Sequence, residues 1–231
     1  MRVALVALGH SCTNYMELAF GAGGRKRIWD ETWGVNAAGD VIRCDRIFHM
    51  DDVKIQEARA EAGNEKVKAM LEWMKTTSTP IYTSRKYDDY PSLVEYPLEE
   101  VVNHLGSTYF NNTVPYAIAY AAHIGVKELH LYGVDYTYPN IMDAERGRAC
   151  AEYWVRAAQE RGCEVSVAEN STLMDAFKGL PYGYDTLDVK WEAVDGKFKL
   201  ITTPKEIIPT AEEIEKRYDH LGLAKERGLT Q

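Results

Sequence analysis

At 231 residues the chain suits one domain with room for a small appendage, and it can bury a sizeable core. Hydrophobic residues make up 45% and charged residues 27%, and the formal net charge of -8 disfavours direct binding to duplex DNA. Cys12, Cys44, Cys150 and Cys163 are scattered without a CxxC or Cys/His cluster, which argues against a zinc site. No apolar run is long enough to span a bilayer and no signal-peptide pattern opens the sequence, so the expectation is a cytoplasmic protein with reduced thiols.

In chain order, "RVALVAL" is a continuous apolar run that predicts a central parallel strand covered on both faces. "GHSCTN" follows as a small polar turn, and "YMELAF" reads as the start of a helix. A second strand in "ETWGVNAAGD" stops near Asn36, and "DRIFHM" predicts a third that ends in Asp51 and Asp52. Val53 to Lys75 reads as helical with a break at Gly63-Asn64. "PIYTS" is the fourth strand, followed by a long polar and aromatic connection with a short helix near Leu98–Leu105. Thr113 is placed to cap the next helix, with Pro115 in its first turn and Gly125 past its end. "KELHLYGVD" predicts the fifth strand. A long helix follows, with an apolar stripe of Cys150, Tyr153, Trp154, Ala157 and Ala158, and "CEVSVAE" is the sixth strand.

Strands alternating with helices predict an α/β fold, a Rossmann-like three-layer sandwich with a mainly parallel sheet over residues 1–180. Residues 181–231 differ. "DVKWEAVDGKFKLIT" alternates around Asp195-Gly196, a hairpin signal, and Thr210 and Glu213 are spaced as a capping box for a C-terminal helix. This appendage could serve as an edge addition, a lid or a contact in a homo-oligomer.

In open parallel sheets, ligands sit beyond the C-terminal ends of the strands. That rule selects Gly9–Asn14, Asn36, Asp51 and Asp52, Gly133–Tyr138 and Glu169–Thr172. Gly9, His10 and Ser11 suit phosphate cradling by backbone N–H groups and a hydroxyl, or an ordinary capped turn. His10 is a candidate general acid or phosphate contact. Asp51 and Asp52 are candidate ligands for Mg²⁺ or Mn²⁺; alternatively Asp52 caps the helix behind it. His49 reads as a core histidine. Asp135 is a candidate general base, with Gly133 beside it, and Tyr136 and Tyr138 suit contacts with a base or ribose. Arg25, Lys26 and Arg27 form a basic cluster, either a phosphate clamp or a solvated turn. No organic prosthetic group is expected.

Several segments resemble two families together. "LGHSCTN" is similar to the Gly-x-Ser loop that meets nucleotide phosphates in bacterial family-42 sialyltransferases and in the 6-hydroxymethylpterin diphosphokinase-like family. "NNTVPYAIAYAAHIGVKELHLYGVDYTY" resembles the sialyltransferases' Ala-rich helix and following Gly-hydrophobic-Asp-aromatic strand end, and "ENSTLMDAF" their Asn-Ser-x-Leu segment. The resemblance spans roughly residues 1–177. It implies a nucleotide-binding fold, with Gly9, Ser11, Asn14, Asn36, Asn112, Thr113, Asn170 and Ser171 toward the nucleotide. "ETWGVNAAGDVIRCDRIFHMDD" also resembles proteins carried by tailed phages. One departure matters: "YTYPNIMDAERG" has no His where the sialyltransferases keep their general base. The resemblance therefore implies nucleotide or nucleotide-sugar binding ahead of any one reaction. The expected function is a nucleotide-sugar-dependent glycosyltransferase-like enzyme acting on a small-molecule or glycan acceptor. The alternatives are an ATP- and Mg²⁺-dependent phosphotransferase of the diphosphokinase kind, or a non-catalytic nucleotide-binding module.

Overall fold

The computed structural model describes residues 1–174, 181 and 183–218. It divides into two compact units, Met1–Met174 and Asp175–Gln231. The boundary expected after residue 180 lies outside the described residues.

The first unit is an α/β sandwich around a seven-stranded parallel sheet in the order β5-β4-β3-β2-β1-β6-β7. The strands are β1 (Arg2–Val6), β2 (Glu31–Val35), β3 (Arg46–Phe48), β4 (Ile81–Thr83), β5 (Leu93–Glu95), β6 (Glu128–Tyr132) and β7 (Glu164–Val167). The helices between them are α1 (Cys12–Gly21), α2 (Ala38–Val41), α3 (Val53–Glu61), α4 (Glu65–Thr76), α5 (Leu98–Leu105), α6 (Thr113–His123) and α7 (Ile141–Glu160).

The apolar run of β1 is central because both of its faces are covered. Val3 and Leu5 pack with Ala117, Ile118 and Ala121 of α6 and with Cys150 and Trp154 of α7. Ala4 and Val6 point the other way, onto Tyr15, Trp29 and Tyr132. A strand sends alternate side chains to opposite faces, so a continuous apolar run is what a two-sided strand requires. β3 does the same at smaller scale: Phe48 joins the α6 side, while Ile47 packs against Leu71 and Met74 of α4. The helical stretch after Asp52 breaks at Gly63, whose φ is +96°, and restarts under an Asn64 cap that accepts from the Val67 N–H at 3.2 Å.

Four expectations need correction. The long connection contains a strand, β5, so the sheet has seven strands and not six. β5 has three residues and only Leu93 is buried, too short a segment for any periodicity to register. Helix α1 starts at Cys12, inside the predicted turn. Asn112, not Thr113, caps α6: its extended backbone lets its Oδ1 accept from the Val114 N–H at 3.2 Å. Tyr153 is 45% exposed, off the stripe that Cys150, Trp154 and Ala158 bury completely.

The second unit contains an antiparallel hairpin, β8 (Leu187–Val194) and β9 (Lys197–Pro204), and helix α8 (Ala211–Tyr218). Asp195 and Gly196 both have positive φ, +52° and +73°, as a two-residue hairpin turn demands. The Thr210 N–H and hydroxyl both donate to Glu213 Oε2, at 2.8 and 3.0 Å, and the Glu213 N–H returns a bond to the Thr210 hydroxyl at 3.3 Å. The remainder of the predicted C-terminal helix lies outside the described residues.

Candidate functional site

The chain runs from β1 outward to β5 on one side and returns through β6 and β7 on the other, which places the topological switch between β1 and β6. A cavity of about 570 Å³ opens there, at the C-terminal ends of the strands. Ala7–Gly9 follow β1, Val35–Ala37 close β2, Asp51 follows β3, Asn111–Val114 open α6, and Gly133–Tyr138 follow β6. A larger groove of about 1330 Å³ lies at the opposite edge, before β2, β3 and β4. Its Arg25 and Lys26 are both paired with Asp45, Lys26 at 2.9 Å, so two of the three cations of the basic cluster are held in ion pairs. The switch-point cavity is the better candidate, because loops at strand C-termini converge on it.

Its floor is a clip between the first and sixth strand ends. The Ser11 N–H donates to Asp135 Oδ2 at 2.7 Å, and the Ser11 hydroxyl donates to Asp135 Oδ1 at 2.5 Å. The same hydroxyl accepts from the Gly133 N–H at 2.7 Å, and the Gly9 N–H donates to the Gly133 carbonyl at 2.8 Å. Ser11 is completely buried and Asp135 is 3% exposed. The clip needs glycine twice over. A Cβ on Gly133 would lie 2.1 Å from the Ala7 carbonyl oxygen, with φ already at +68°, and one on Gly9 would lie 2.5 Å from Asp135 Oδ2.

This geometry changes the roles expected of three residues. The Gly9 and Ser11 donors that were expected to cradle a phosphate are engaged inside the protein. Asp135, the candidate base, accepts from Ser11 through both oxygens and fastens the loop.

The wall beside α6 is polar and fixed. Tyr136 is buried, has a φ of +50°, and donates its hydroxyl to Asn112 Oδ1 at 3.0 Å. Burial pushes the Tyr136 hydroxyl pKa up, so it stays a neutral donor. The Asn112 amide nitrogen donates to Asn111 at 2.7 Å. Tyr138 stands 55% exposed at the rim. The N-terminus of α6 opens on the cavity, where the helix dipole favours an anion, with the Val114 N–H already taken by the Asn112 cap and no N–H on Pro115.

The opposite wall holds Asn36. Its φ is +51°, and its Oδ1 is buried with no hydrogen-bond partner among the described residues. A buried carbonyl without a donor is costly, and a ligand N–H or O–H would satisfy it.

The two adjacent aspartates part company. Asp52 caps α3, accepting from the Lys54 N–H at 2.8 Å and from the Tyr87 hydroxyl at 3.0 Å. Asp51 is exposed and alone of the pair lines the cavity. No group of three His, Cys, Asp or Glu side chains suited to a metal ion occurs among the described residues. Of the two carboxylates on the cavity, Asp135 is engaged by Ser11 through both oxygens and Asp51 stays open, too few protein ligands to cage Mg²⁺ or Mn²⁺ without a substrate phosphate. His49 is buried as expected, its Nε2 without a partner among the described residues, and burial lowers its pKa so the ring is neutral.

Gly9, Asn36, Asp51, Asn112, Thr113, Gly133, Asp135, Tyr136 and Tyr138 therefore meet at one cavity. His10, Ser11, Asn14, Asp52, Asn170 and Ser171 do not line it. The Ser171 hydroxyl instead donates to the Val134 carbonyl at 2.9 Å, bracing the loop from behind. Thr137, within the selected Gly133–Tyr138 stretch, lines the cavity too, and Asn111 lines it without having been singled out. Asn111 offered a signal as the first of two adjacent asparagines ahead of a helix.

No protein-family model matches the sequence, and no curated protein matches it. Among solved structures, the chain is similar to the sialyltransferase CstII from Campylobacter jejuni in complex with a substrate analogue, CMP-3FNeuAc. Identity is 15% over 94% of this chain and 98% of that one, with a TM-score of 0.48. It is also similar to an alpha-2,3-sialyltransferase from Campylobacter jejuni in apo form, at 14% identity over 96% and 95% of the two chains, with a TM-score of 0.44. At these identities the likeness concerns the fold alone. Among the described residues, no helix is long and apolar enough to cross a membrane.

Proposed function

We propose that the switch-point cavity binds a nucleotide carrying a single phosphate, and that the protein is a transferase using such a nucleotide joined to a sugar. The observation that carries this reading is the Asn36 amide, whose buried Oδ1 lacks a donor in the cavity wall. A base or sugar N–H or O–H supplies what it lacks. The α6 N-terminus then meets the phosphate. None of the described lining residues is Lys, Arg or His. A helix N-terminus carries only about half a unit charge, which suits one phosphate better than two. The diphosphokinase alternative needs a metal-bridged polyphosphate, and a cavity without Lys, Arg or His among its described lining residues, whose second carboxylate, Asp135, is engaged by Ser11, supports it poorly.

In the transfer step, the acceptor hydroxyl oxygen bonds to the sugar's anomeric carbon as the bond to the nucleotide phosphate breaks. Asp51, the exposed carboxylate on the cavity, accepts the hydroxyl proton. The departing phosphate keeps the bonding electrons beside the α6 N-terminus. The Ser11–Asp135–Gly133 clip holds the floor in place and takes no part in proton transfer.

The test is a thermal-shift and calorimetry series with the four common nucleoside monophosphates, their diphosphates and sugar conjugates, without and with Mg²⁺. A monophosphate should raise Tm without metal, and its diphosphate should bind more weakly. Asn36→Gly removes the amide while tolerating the backbone angle, and should weaken that binding about tenfold. The reading fails if no nucleotide shifts Tm, or if Asn36→Gly binds as the unmodified chain does.

A further inference from the structure

Far from the cavity, at the other end of α6, two histidines from different helices face each other. His104 lies in the last turn of α5 and His123 is the last residue of α6. Their Nδ1 atoms are 3.1 Å apart, and the ring centroids are 5.1 Å apart at an interplanar angle of 70°. His104 is exposed and His123 partly so, leaving the pair open to solvent.

An imidazole nitrogen binds Zn²⁺ at about 2.1 Å. Two such ligands on one ion then stand about 3.0 Å apart at a right angle and about 3.4 Å apart at the tetrahedral angle. The observed separation falls between these values, so a small rotation of the rings brings both lone pairs onto one point. The two helices also present their C-terminal ends here, the negative ends of their dipoles, which favour a cation. Arg161 donates to the carbonyls of His104 and Leu105, at 3.4 and 3.0 Å, and so fixes the backbone that carries one ligand.

We propose that His104 and His123 form a binding site for a divalent transition-metal ion of the imidazole-preferring class, Zn²⁺, Ni²⁺ or Cu²⁺, which ties α5 to α6. No third His, Cys, Asp or Glu completes a metal cluster among the described residues, so water fills the remaining positions. The guanidinium of Arg161 opposes the ion's charge, which keeps the site weaker than a closed structural zinc centre. The site does not depend on the nucleotide reading.

The full chain would be titrated with ZnCl₂ and with MgCl₂ by calorimetry, and loaded with Cu²⁺ for electron paramagnetic resonance. One Zn²⁺ should bind per chain while Mg²⁺ does not, and the Cu²⁺ spectrum should show two equivalent imidazole nitrogens. His104→Ala and His123→Ala should each weaken Zn²⁺ binding at least about tenfold, while His10→Ala leaves it unchanged. Because both positions reach solvent, the variants should fold, which circular dichroism checks. Failure of the unmodified chain to bind Zn²⁺ would mean the pair is only an imidazole–imidazole hydrogen bond. Binding that survives both substitutions would place the ion elsewhere. Either result overturns the proposal.

Discussion

The strand ends at Gly9–Ser11 and at Asp51–Asp52 look alike as text: each closes an apolar strand with polar residues on the ligand-facing edge of the sheet. In the fold they do opposite things. The first turns inward and is consumed by its bonds to Asp135 and Gly133, with Ser11 completely buried. The second divides, Asp52 capping α3 and Asp51 remaining open to the cavity. The difference shows that a polar residue at a strand end is available to a ligand only if the neighbouring strand end does not claim it first.

The contrast can be broken most severely at Gly133. Gly133→Ala forces a Cβ onto the Ala7 carbonyl at a positive φ, and should cost about 4 kcal/mol or prevent folding, read by chemical denaturation. Asp135→Ala leaves the buried Ser11 donors unpaired and should cost about 3 kcal/mol in the same assay. Asp52→Ala removes one helix cap and should cost about 1 kcal/mol. Asp51→Asn should leave stability within about 0.5 kcal/mol and, under the function proposed above, lower sugar transfer about a hundredfold or more at unchanged nucleotide affinity. If Asp135→Ala proves neutral to stability, the inward-turned loop is not the clip described above.

A smaller effect separates the two edges of the sheet. Burial opposes the charge of Asp45, but hydrogen bonds from Arg25, the Thr32 N–H and Lys26 outweigh it and hold the carboxyl at about 2. A carboxyl whose folded pKa is depressed stabilises the fold fully above its unfolded pKa, about 3.9, and loses that contribution as pH falls toward its folded value. Stability should therefore drop between about pH 4 and pH 2, and Asp45→Asn should flatten that part of the curve. Because Asp45 is partly exposed, high salt should shrink the effect.

Much of the fold was legible because long apolar runs and helical spacing survive without context. β1, the broken helix after Asp52 and the Asp195-Gly196 hairpin are of this kind. β5 was not legible, since three residues carry no period. The location of the cavity was legible from strand order alone, and nine of the singled-out residues line it. Their roles were not, because whether Ser11 faces a phosphate or Asp135 depends on a partner 124 residues away. The same holds for Asn112 and Thr113: adjacent polar residues compete for a cap, and backbone angles decide between them.

Asn36 and Tyr136 stand on opposite walls of the cavity, both in left-handed backbone conformations that side chains seldom adopt. The fold has imposed these angles before any ligand arrives, so capture requires no loop to reorganise. Mixed rapidly with its ligand, the protein should give a single kinetic phase whose rate climbs linearly with concentration, with no slow isomerisation behind it.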